Sequence, residues 1–406
     1  MTRALNAADL YGLSRLAVHA VRETTDLVEQ MHRTIARVSA PIGQSSSGRT
    51  RGITGLVYRS IHGVTGLVGG SLDLAGRHLL RAPEEESSSA SRERIVAVIN
   101  GVVGDHLEAT ANPLAIAMRL RYRGQALSLD RTELERSIAR PQSRLLIAVH
   151  GLCLNHHCWT PQGDEAAVDL PAELARRLGY TELHLHYNTG RSIARNGRDL
   201  ASLLEQLVSE WPAPVEEIVL LGHSMGGLVS RSACHYGSEA GHAWSDHLRR
   251  VVCLGSPHLG APLEQAGHRL ERLLGVSPYS APFQKLGRMR SAGIIDLRHG
   301  RVLDHGENLQ ARLPAQATLH TVAATRSESS RRISARLIGD GLVPVASALG
   351  QHPDAQKRLP IAPEHACVLA GVGHMGLLRD WRVVETLEGW VGGVAFDRVE
   401  TPARGR

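Results

Sequence analysis

Residues 218–227 read Ile-Val-Leu-Leu-Gly-His-Ser-Met-Gly-Gly, and no other stretch of the chain says as much about its fold. Four apolar residues run directly into a Gly-x-Ser-x-Gly pentapeptide, and a helical pattern follows, which predicts a strand, a sharp turn and a helix. Side chains at Gly222 and Gly226 would collide where strand and helix pass closely. We therefore predict that Ser224 is a nucleophile exposed above a sheet. The alternative is a structural glycine turn that happens to hold a serine.

Segments of strand and helix character alternate around this turn, which is typical of a mostly parallel sheet flanked by helices. The predicted strands are Leu145–Val149, Leu183–Tyr187, Ile218–Leu221, Val251–Leu254, Leu319–Ala323 and Cys367–Ala370, and the predicted helices are Leu170–Leu178, Asp199–Trp211 and Leu228–His235. Upstream, the apolar run Ile95–Ile99 ends at an Asn-Gly pair that signals a turn. A helical stretch is expected from Pro113 to Arg121. These patterns predict an α/β fold.

The pattern also predicts how the chain divides. Residues 1–90 carry two helical patterns separated by polar linkers, so we expect an appended N-terminal helical module. Residues 91–395 are predicted to be the α/β domain. Residues 260–315 are too long for a simple loop between two strands, and we interpret them as a partly helical cap insertion over the site. Residues 396–406 are expected to be a flexible tail.

Composition and charge exclude several classes of protein. The 42% hydrophobic and 21% charged residues are ordinary globular values. The net charge is +6, but the basic residues form no dense run and aromatic residues make up only 3%. A nucleic-acid platform needs a concentrated basic patch, often with stacking rings, so we expect no nucleic-acid partner. No run of 18 apolar residues and no apolar signal region is visible, which favours a cytoplasmic protein.

The five cysteines are scattered and odd in number, so they do not form a disulfide framework. Cys153 and Cys158 flank His156 and His157, a set of residue types that could ligate zinc. No second pair with matching spacing accompanies them, and we predict no metal site. Reduced thiols agree with a cytoplasmic setting.

A serine nucleophile needs a base and an acid that orients the base. His374 lies in a glycine-rich loop after the last predicted strand, where its ring can reach the upper edge of the sheet. Asp340 precedes it, within Gly-Asp-Gly-Leu-Val-Pro, so the candidates follow the chain order serine, aspartate, histidine. Asp296 and Asp304 are rival acids, but both fall inside the predicted cap.

An oxyanion hole needs two N–H donors aimed at one point. The amide of Met225, next to the serine, is the first candidate. The second is the amide of Leu152, because Gly151 lets the loop after Val149 turn tightly; the alternative there is a plain glycine turn. His150 would support this loop rather than transfer protons.

At this point the chain resembles the α/β-hydrolase superfamily, in its lipase and esterase branch. The resemblance covers about residues 94–392 and is carried by His150-Gly151, Gly222–Gly227, Gly255–Pro262, Asp340–Pro344 and Gly373-His374. The segment Ser256–Pro262 looks like a site-lining loop of triacylglycerol lipases and GPI inositol-deacylase-like hydrolases. The resemblance implies an α/β-hydrolase fold, a site lined by His150, His258 and Leu259, and ester hydrolysis with no cofactor and no metal.

The expected function is thus a serine hydrolase that cleaves carboxylic esters, with an acyl ester or lipid-like molecule as substrate. An acyltransferase or a thioesterase would use the same triad. A protein of another class, which binds a lipid surface and merely retains a hydrolase fold, stays open. For the enzyme as well, the helices within residues 1–80 would either pack on the hydrolase body or make peripheral contact with a membrane or lipid surface through basic amphipathic faces.

Overall fold

The computed structural model describes residues 8–9, 11–19, 90–161, 167–261, 291–304, 311–328 and 339–392. Most of the predicted N-terminal module, most of the predicted cap and the whole predicted tail lie outside these residues. The chain divides into two compact units. The described residues of the first unit are 8–9, 11–19, 90–92 and 106–115, and those of the second are 93–105 and the described residues from 116 onward.

In the first unit, residues 11–19 are helical and are held by polar bonds. The amide nitrogen Nδ2 of Asn112 donates to the carbonyl of Gly12 over 3.0 Å. The guanidinium of Arg15 donates to the carbonyl of Ala111 over 3.2 Å. These bonds tie the helix to the turn at residues 110–112.

Among the described residues of the second unit, eight strands form one sheet in the order β2-β1-β4-β3-β5-β6-β7-β8. The strands are β1 Arg119–Tyr122, β2 Gln125–Ala126, β3 Arg144–Val149, β4 Thr181–His186, β5 Glu217–His223, β6 Leu248–Leu254, β7 Thr318–Thr325 and β8 Ala366–Ala370. Strands β3 to β8 pair in parallel, and β1 is antiparallel to both β2 and β4. The loops after the parallel strands therefore meet at one edge of the sheet.

Strand β3 shows why the sheet is buried on both faces. Leu145, Ile147 and Val149 belong to one apolar layer, whereas Leu146 and Ala148 belong to the other. Alternate side chains of a strand point to opposite faces, so a strand that is apolar throughout needs helices on both sides.

Helices of the described residues cover these faces; the first precedes the sheet in the chain, and the others follow its strands. They are α1 Ala90–Ala109, α2 Arg131–Ser137, α3 Leu170–Leu178, α4 Ile193–Glu210, α5 Met225–Glu239, α6 Trp244–His247, α7 Ala292–His299, α8 Val345–Ala348 and α9 Trp381–Gly392. Helices α4 and α5 contribute Leu204 and Leu228 to one layer, and α3 and α9 contribute Leu174 and Leu387 to the other. In the described part of the chain, no helix has both the length and the apolar character that crossing a bilayer requires.

The predicted turn at Asn100-Gly101 is wrong, because helix α1 continues through it. Asn100 is buried; its Nδ2 donates to the carbonyl of Val96 (2.9 Å), and its Oδ1 accepts from the N–H of Ile116 (3.0 Å). A Cβ on Gly101 would lie 2.1 Å from Sγ of Cys153. Close packing, and not a turn, therefore requires the glycine.

The helix predicted from Pro113 to Arg121 is also wrong. Residues 119–122 form strand β1, and Leu120 of this strand is fully buried opposite Leu185 of β4. A four-residue strand is too short to show alternation clearly, and pairing with β4 decides its conformation.

Candidate active site

Ser224 occupies the turn between β5 and α5, with φ 53° and ψ −120°. Residues other than glycine rarely adopt positive φ, and such strain persists only where the surroundings enforce it. The N–H of Ser224 donates to the carbonyl of Leu254 at the end of β6 (2.8 Å). A Cβ on Gly226 would lie 2.1 Å from the carbonyl oxygen of Val149, so α5 and β3 pass too closely for any side chain there.

His374 and Asp340 meet at the same edge of the sheet. Nδ1 of His374 lies 2.6 Å from Oδ2 of Asp340, and the two side chains are 3% and 1% exposed. The other carboxylate oxygen, Oδ1, accepts from the N–H groups of Leu342 and Val343, both at 2.9 Å. The N–H of His374 also donates to the carbonyl of Asp340 (3.1 Å). With Nδ1 engaged in this way, Nε2 is the ring nitrogen left to face a serine.

The two rival acids lie elsewhere. Oδ2 of Asp296 accepts from the N–H of Ile193 (3.0 Å), and burial raises the pKa of Asp296 above its ordinary value. Asp304 pairs with Arg198. Of the three predicted carboxylates, Asp340 is the one that contacts His374.

The loop of residues 150–155, which follows β3, is held in a strained conformation. Cys153 has φ 59°, and its N–H donates to Oγ1 of Thr189 over 3.1 Å. At the end of the loop, Oδ1 of Asn155 accepts from the N–H of His157 (3.1 Å) and caps a short 3₁₀ helix, His156–Cys158. The loop is therefore fixed by side-chain bonds at two points.

Leu152 and Met225, the predicted oxyanion donors, flank the serine. Helix α5 begins at Met225, so its N–H has no partner one turn earlier. A Cβ on Gly151 would lie 3.1 Å from Cβ of Ser224, which shows how closely the loop approaches the serine. Within the described residues, the N–H groups of Leu152 and Met225 donate no hydrogen bond. Both are therefore available to a ligand.

A narrow cleft that opens to solvent lies over the serine. It is lined by Gly151, Leu152, Leu154, His223, Ser224, Pro257, Ala261, Leu297, Leu342, Val343 and His374. Its wall is hydrocarbon apart from the serine and the two imidazoles. Such a wall suits an apolar substituent beside a polar reacting group.

His150, His258 and Leu259 do not line this cleft. His150 is fully buried, and burial lowers its pKa to about 4. His258 is also buried, with Nδ1 3.3 Å from the guanidinium of Arg231. Leu259 donates its N–H to Oγ of Ser347 (3.2 Å). Their contact with a substrate stays a prediction, and the loop after β6 reaches the cleft through its neighbouring residues.

His223 is a cleft residue that the sequence analysis did not single out. Its Nε2 donates to the carbonyl of His374 (3.1 Å), and the two rings lie 4.6 Å apart. Burial holds the pKa of His223 well below its ordinary value, so the ring is neutral. His223 fills a variable position of the Gly-x-Ser-x-Gly pattern, so the pattern assigns no role to this residue. The sequence shows only that His223 stands next to Ser224 in the chain.

The two cysteines and two histidines that were considered as zinc ligands do not come together as one group. Cys153 and Cys158 are buried, and burial raises the pKa of both thiols. His156 and His157 instead face a carboxylate, that of Glu93 in α1.

The comparison with known protein families agrees with this architecture. Residues 182–334 match the family described as the PGAP1-like alpha/beta domain. The match runs from β4 past β7 and includes Ser224. The chain has an α/β-hydrolase fold. The resemblance to the α/β-hydrolase superfamily is confirmed at the level of the fold. No curated protein matches the chain significantly.

Solved structures resemble the α/β-hydrolase core at low identity. The mature Bacillus licheniformis lipase BlEst2 is 19% identical, and the match covers 63% of this chain and 92% of the lipase with a TM-score of 0.41. The Pyrococcus furiosus esterase Pf2001 is 17% identical, with 61% and 82% covered and a TM-score of 0.37. Likeness at this level describes the fold alone.

Proposed function

We propose that this α/β-hydrolase chain is a serine hydrolase that cleaves carboxylic esters through an acyl-enzyme on Ser224. One observation carries the proposal. His374 and Asp340 share a 2.6 Å bond in a buried pocket, and His374 lines the same cleft as Ser224, a strained serine that is 8% exposed. Serine, base and orienting acid are the three groups that acyl transfer requires.

The proton path follows from the bond pattern. His374 takes the proton of the Ser224 hydroxyl at Nε2 as the oxygen attacks the ester carbonyl. The ring then carries a positive charge, which the Asp340 carboxylate stabilises at Nδ1. His374 returns the proton to the leaving alcohol, and water later releases the acid by the same path.

The negative charge on the substrate oxygen needs its own donors. The N–H groups of Leu152 and Met225 supply them in this proposal, because both border the serine and neither donates within the described residues. Removing one such donor from a hydrolase typically lowers turnover by about 10²- to 10³-fold.

The hydrocarbon wall of the cleft indicates the substrate class. Leu154, Leu297, Leu342 and Val343 can cover an acyl chain, whereas the polar groups gather at the serine. We therefore propose an acyl ester or lipid-like substrate. Acyl transfer to an alcohol or thiol would use the same acyl-enzyme and would be seen as a product other than the free acid.

A fluorophosphonate probe tests the nucleophile. The wild type should become labelled and Ser224→Ala should not, and ester turnover should fall by about 10⁶-fold. Ser238→Ala is the matched control, because Ser238 is exposed on the same helix. Equal labelling of the wild type and Ser224→Ala would reject the proposal.

A further inference from the structure

Three metal-ligand side chains outside the proposed triad converge beside the loop of residues 150–155. Nε2 of His157 lies 2.8 Å from Oε2 of Glu93, and Nε2 of His156 lies 3.8 Å from the same oxygen. All three ligand atoms lie within 4.8 Å of one another. Glu93 comes from α1, and the two histidines come from the 3₁₀ helix that follows the loop.

His156 is the unusual member of this group. Its side chain is 5% exposed, and neither ring nitrogen has a hydrogen-bond partner. A buried polar atom loses its hydrogen bonds to water. Without a protein partner, no new hydrogen bond compensates for that loss.

The spacing fits a tetrahedral ion. Ligand atoms about 2.0–2.2 Å from a tetrahedral Zn²⁺ lie roughly 3.3–3.6 Å from one another. The observed separations from Glu93 Oε2, 2.8 and 3.8 Å, lie on either side of that range, and no two of the ligand atoms are more than 4.8 Å apart. A solvent molecule would complete the fourth position.

Arg121 engages one of the two oxygens of the Glu93 carboxylate. Its Nη2 lies 3.1 Å from Oε1 of Glu93, which leaves Oε2 directed at the two imidazoles. Outer partners of this kind orient a ligating carboxylate. The guanidinium charge also repels a cation, so the site must rely on nitrogen donors, which favour zinc-like ions over Mg²⁺ or Ca²⁺.

We propose that Glu93, His156 and His157 form a binding site for a divalent transition-metal ion of the Zn²⁺ type. On binding, the Nε2 proton of His157 is released to solvent and Nδ1 holds one proton, so the ring stays neutral; Nε2 of each imidazole and one oxygen of the ionised Glu93 carboxylate then become ligands. The ion would join α1 to the segment directly after the loop that carries Leu152. The site is structural in this proposal and lies apart from the serine chemistry.

Untagged, chelator-treated Ser224→Ala protein tests the site without any reference to activity. Titration with Zn²⁺ by calorimetry should show one ion bound per chain, and Zn²⁺ should raise the melting temperature. Co²⁺ should give the visible absorption of a tetrahedral nitrogen and oxygen site. Glu93→Gln, His156→Ala and His157→Ala should each weaken Zn²⁺ binding at least tenfold.

His235→Ala is the matched control. His235 and Glu239 form another histidine–glutamate pair, with atoms 3.4 Å apart, and no third ligand side chain joins them among the described residues. Loss of the His235 imidazole should leave Zn²⁺ affinity unchanged. The proposal is overturned if the parent protein binds no Zn²⁺ at micromolar concentration, or if Glu93→Gln binds Zn²⁺ as tightly as the parent. Glu93→Gln keeps the side chain's size, so it decides the matter even where a histidine variant fails to fold.

Discussion

At the scale of single residues, both oxygens of the Asp340 carboxylate are engaged, and this fixes the ring of His374. Oδ1 accepts from two backbone N–H groups, and Oδ2 accepts from Nδ1 of His374. A carboxylate held in this way selects the tautomer in which Nδ1 carries the proton. Asp340 therefore orients His374 through two oxygen atoms that both accept hydrogen bonds. An asparagine amide has only one such oxygen.

Asp340→Asn should keep the fold and lower ester turnover by about 10⁴-fold. The asparagine oxygen can still accept from Leu342 and Val343, but its NH₂ group faces Nδ1 and favours the wrong tautomer. Steady-state kinetics together with a melting curve measure both effects. Asp296→Asn is the control and should keep near wild-type turnover. The opposite order of the two variants would show that Asp340 is not the acid.

His223 should position His374 through the bond from Nε2 to the His374 carbonyl. His223→Phe keeps an aromatic ring but removes the donor, so kcat should fall roughly ten- to hundredfold with little change in KM. His223→Gln can offer an amide donor at a similar reach and should recover part of the loss. Kinetics with a short soluble ester distinguish the variants. Identical kcat values for the wild type and His223→Phe would remove His223 from the site.

At the scale of elements, the loop of residues 150–155 depends on one side-chain acceptor. Thr189 lies just beyond β4, and its Oγ1 accepts the N–H of Cys153, the residue at φ 59°. Positive φ at a non-glycine residue is unfavourable, so the bond helps to hold the loop in the shape that brings Leu152 to the cleft.

Thr189→Val should leave the buried N–H of Cys153 without a partner and destabilise the protein by about 1–3 kcal/mol. Turnover should fall as well, because the Leu152 donor loses its fixed position. Thr189→Ser keeps the hydroxyl and should stay close to the wild type in both properties. Chemical denaturation and ester kinetics supply the two readouts. Equal stability of the valine and serine variants would contradict this account of the loop.

Strong periodicity explains which elements were predictable. The central strands and Leu170–Leu178 are apolar or amphipathic over their full length, and the structure confirms them within a few residues. Strand β1 depends on pairing with β4, and the glycine in α1 depends on contact with Cys153. Neither contact can be derived from local pattern. Tertiary packing decided both.

The same reasoning applies to the candidate site. The motif and the chain order predicted Ser224, Asp340 and His374 as the triad. In the structure, His374 bonds to Asp340 and lines the same cleft as Ser224. The contact between Glu93 and His157 joins residues 64 positions apart, one in α1 and the other in a 3₁₀ helix. No spacing in the sequence predicts such a contact. Long-range contacts of this kind become visible only with coordinates.

At the scale of the whole molecule, buried histidines couple folding to pH. Burial lowers the pKa of seven histidines in the described residues: His150, His156, His184, His186, His223, His258 and His320. In the unfolded chain these rings take up protons below about pH 6.5. The unfolded state then binds more protons than the folded state, so acidification favours unfolding.

Stability should therefore be fully present above about pH 7 and should decline as the pH falls through 6.5. Each histidine that stays neutral when folded contributes roughly 1.4 kcal/mol of destabilisation at pH 5.5. The melting temperature measured between pH 8 and pH 5 tests this. His320→Gln should flatten the dependence by about one proton, whereas replacement of the exposed His299 should not. A flat profile across that range would contradict the prediction.

The bond between His223 and His374 joins residues 151 apart, and Ser224 is strained beside it. Contacts between distant parts of a chain form slowly, because a long loop must close before the contact stabilises anything. A refolding chain can regain its helical signal while the serine turn is still relaxed. Ester hydrolysis should consequently recover more slowly than the circular dichroism signal. The rate at which activity returns would then report the last step of folding.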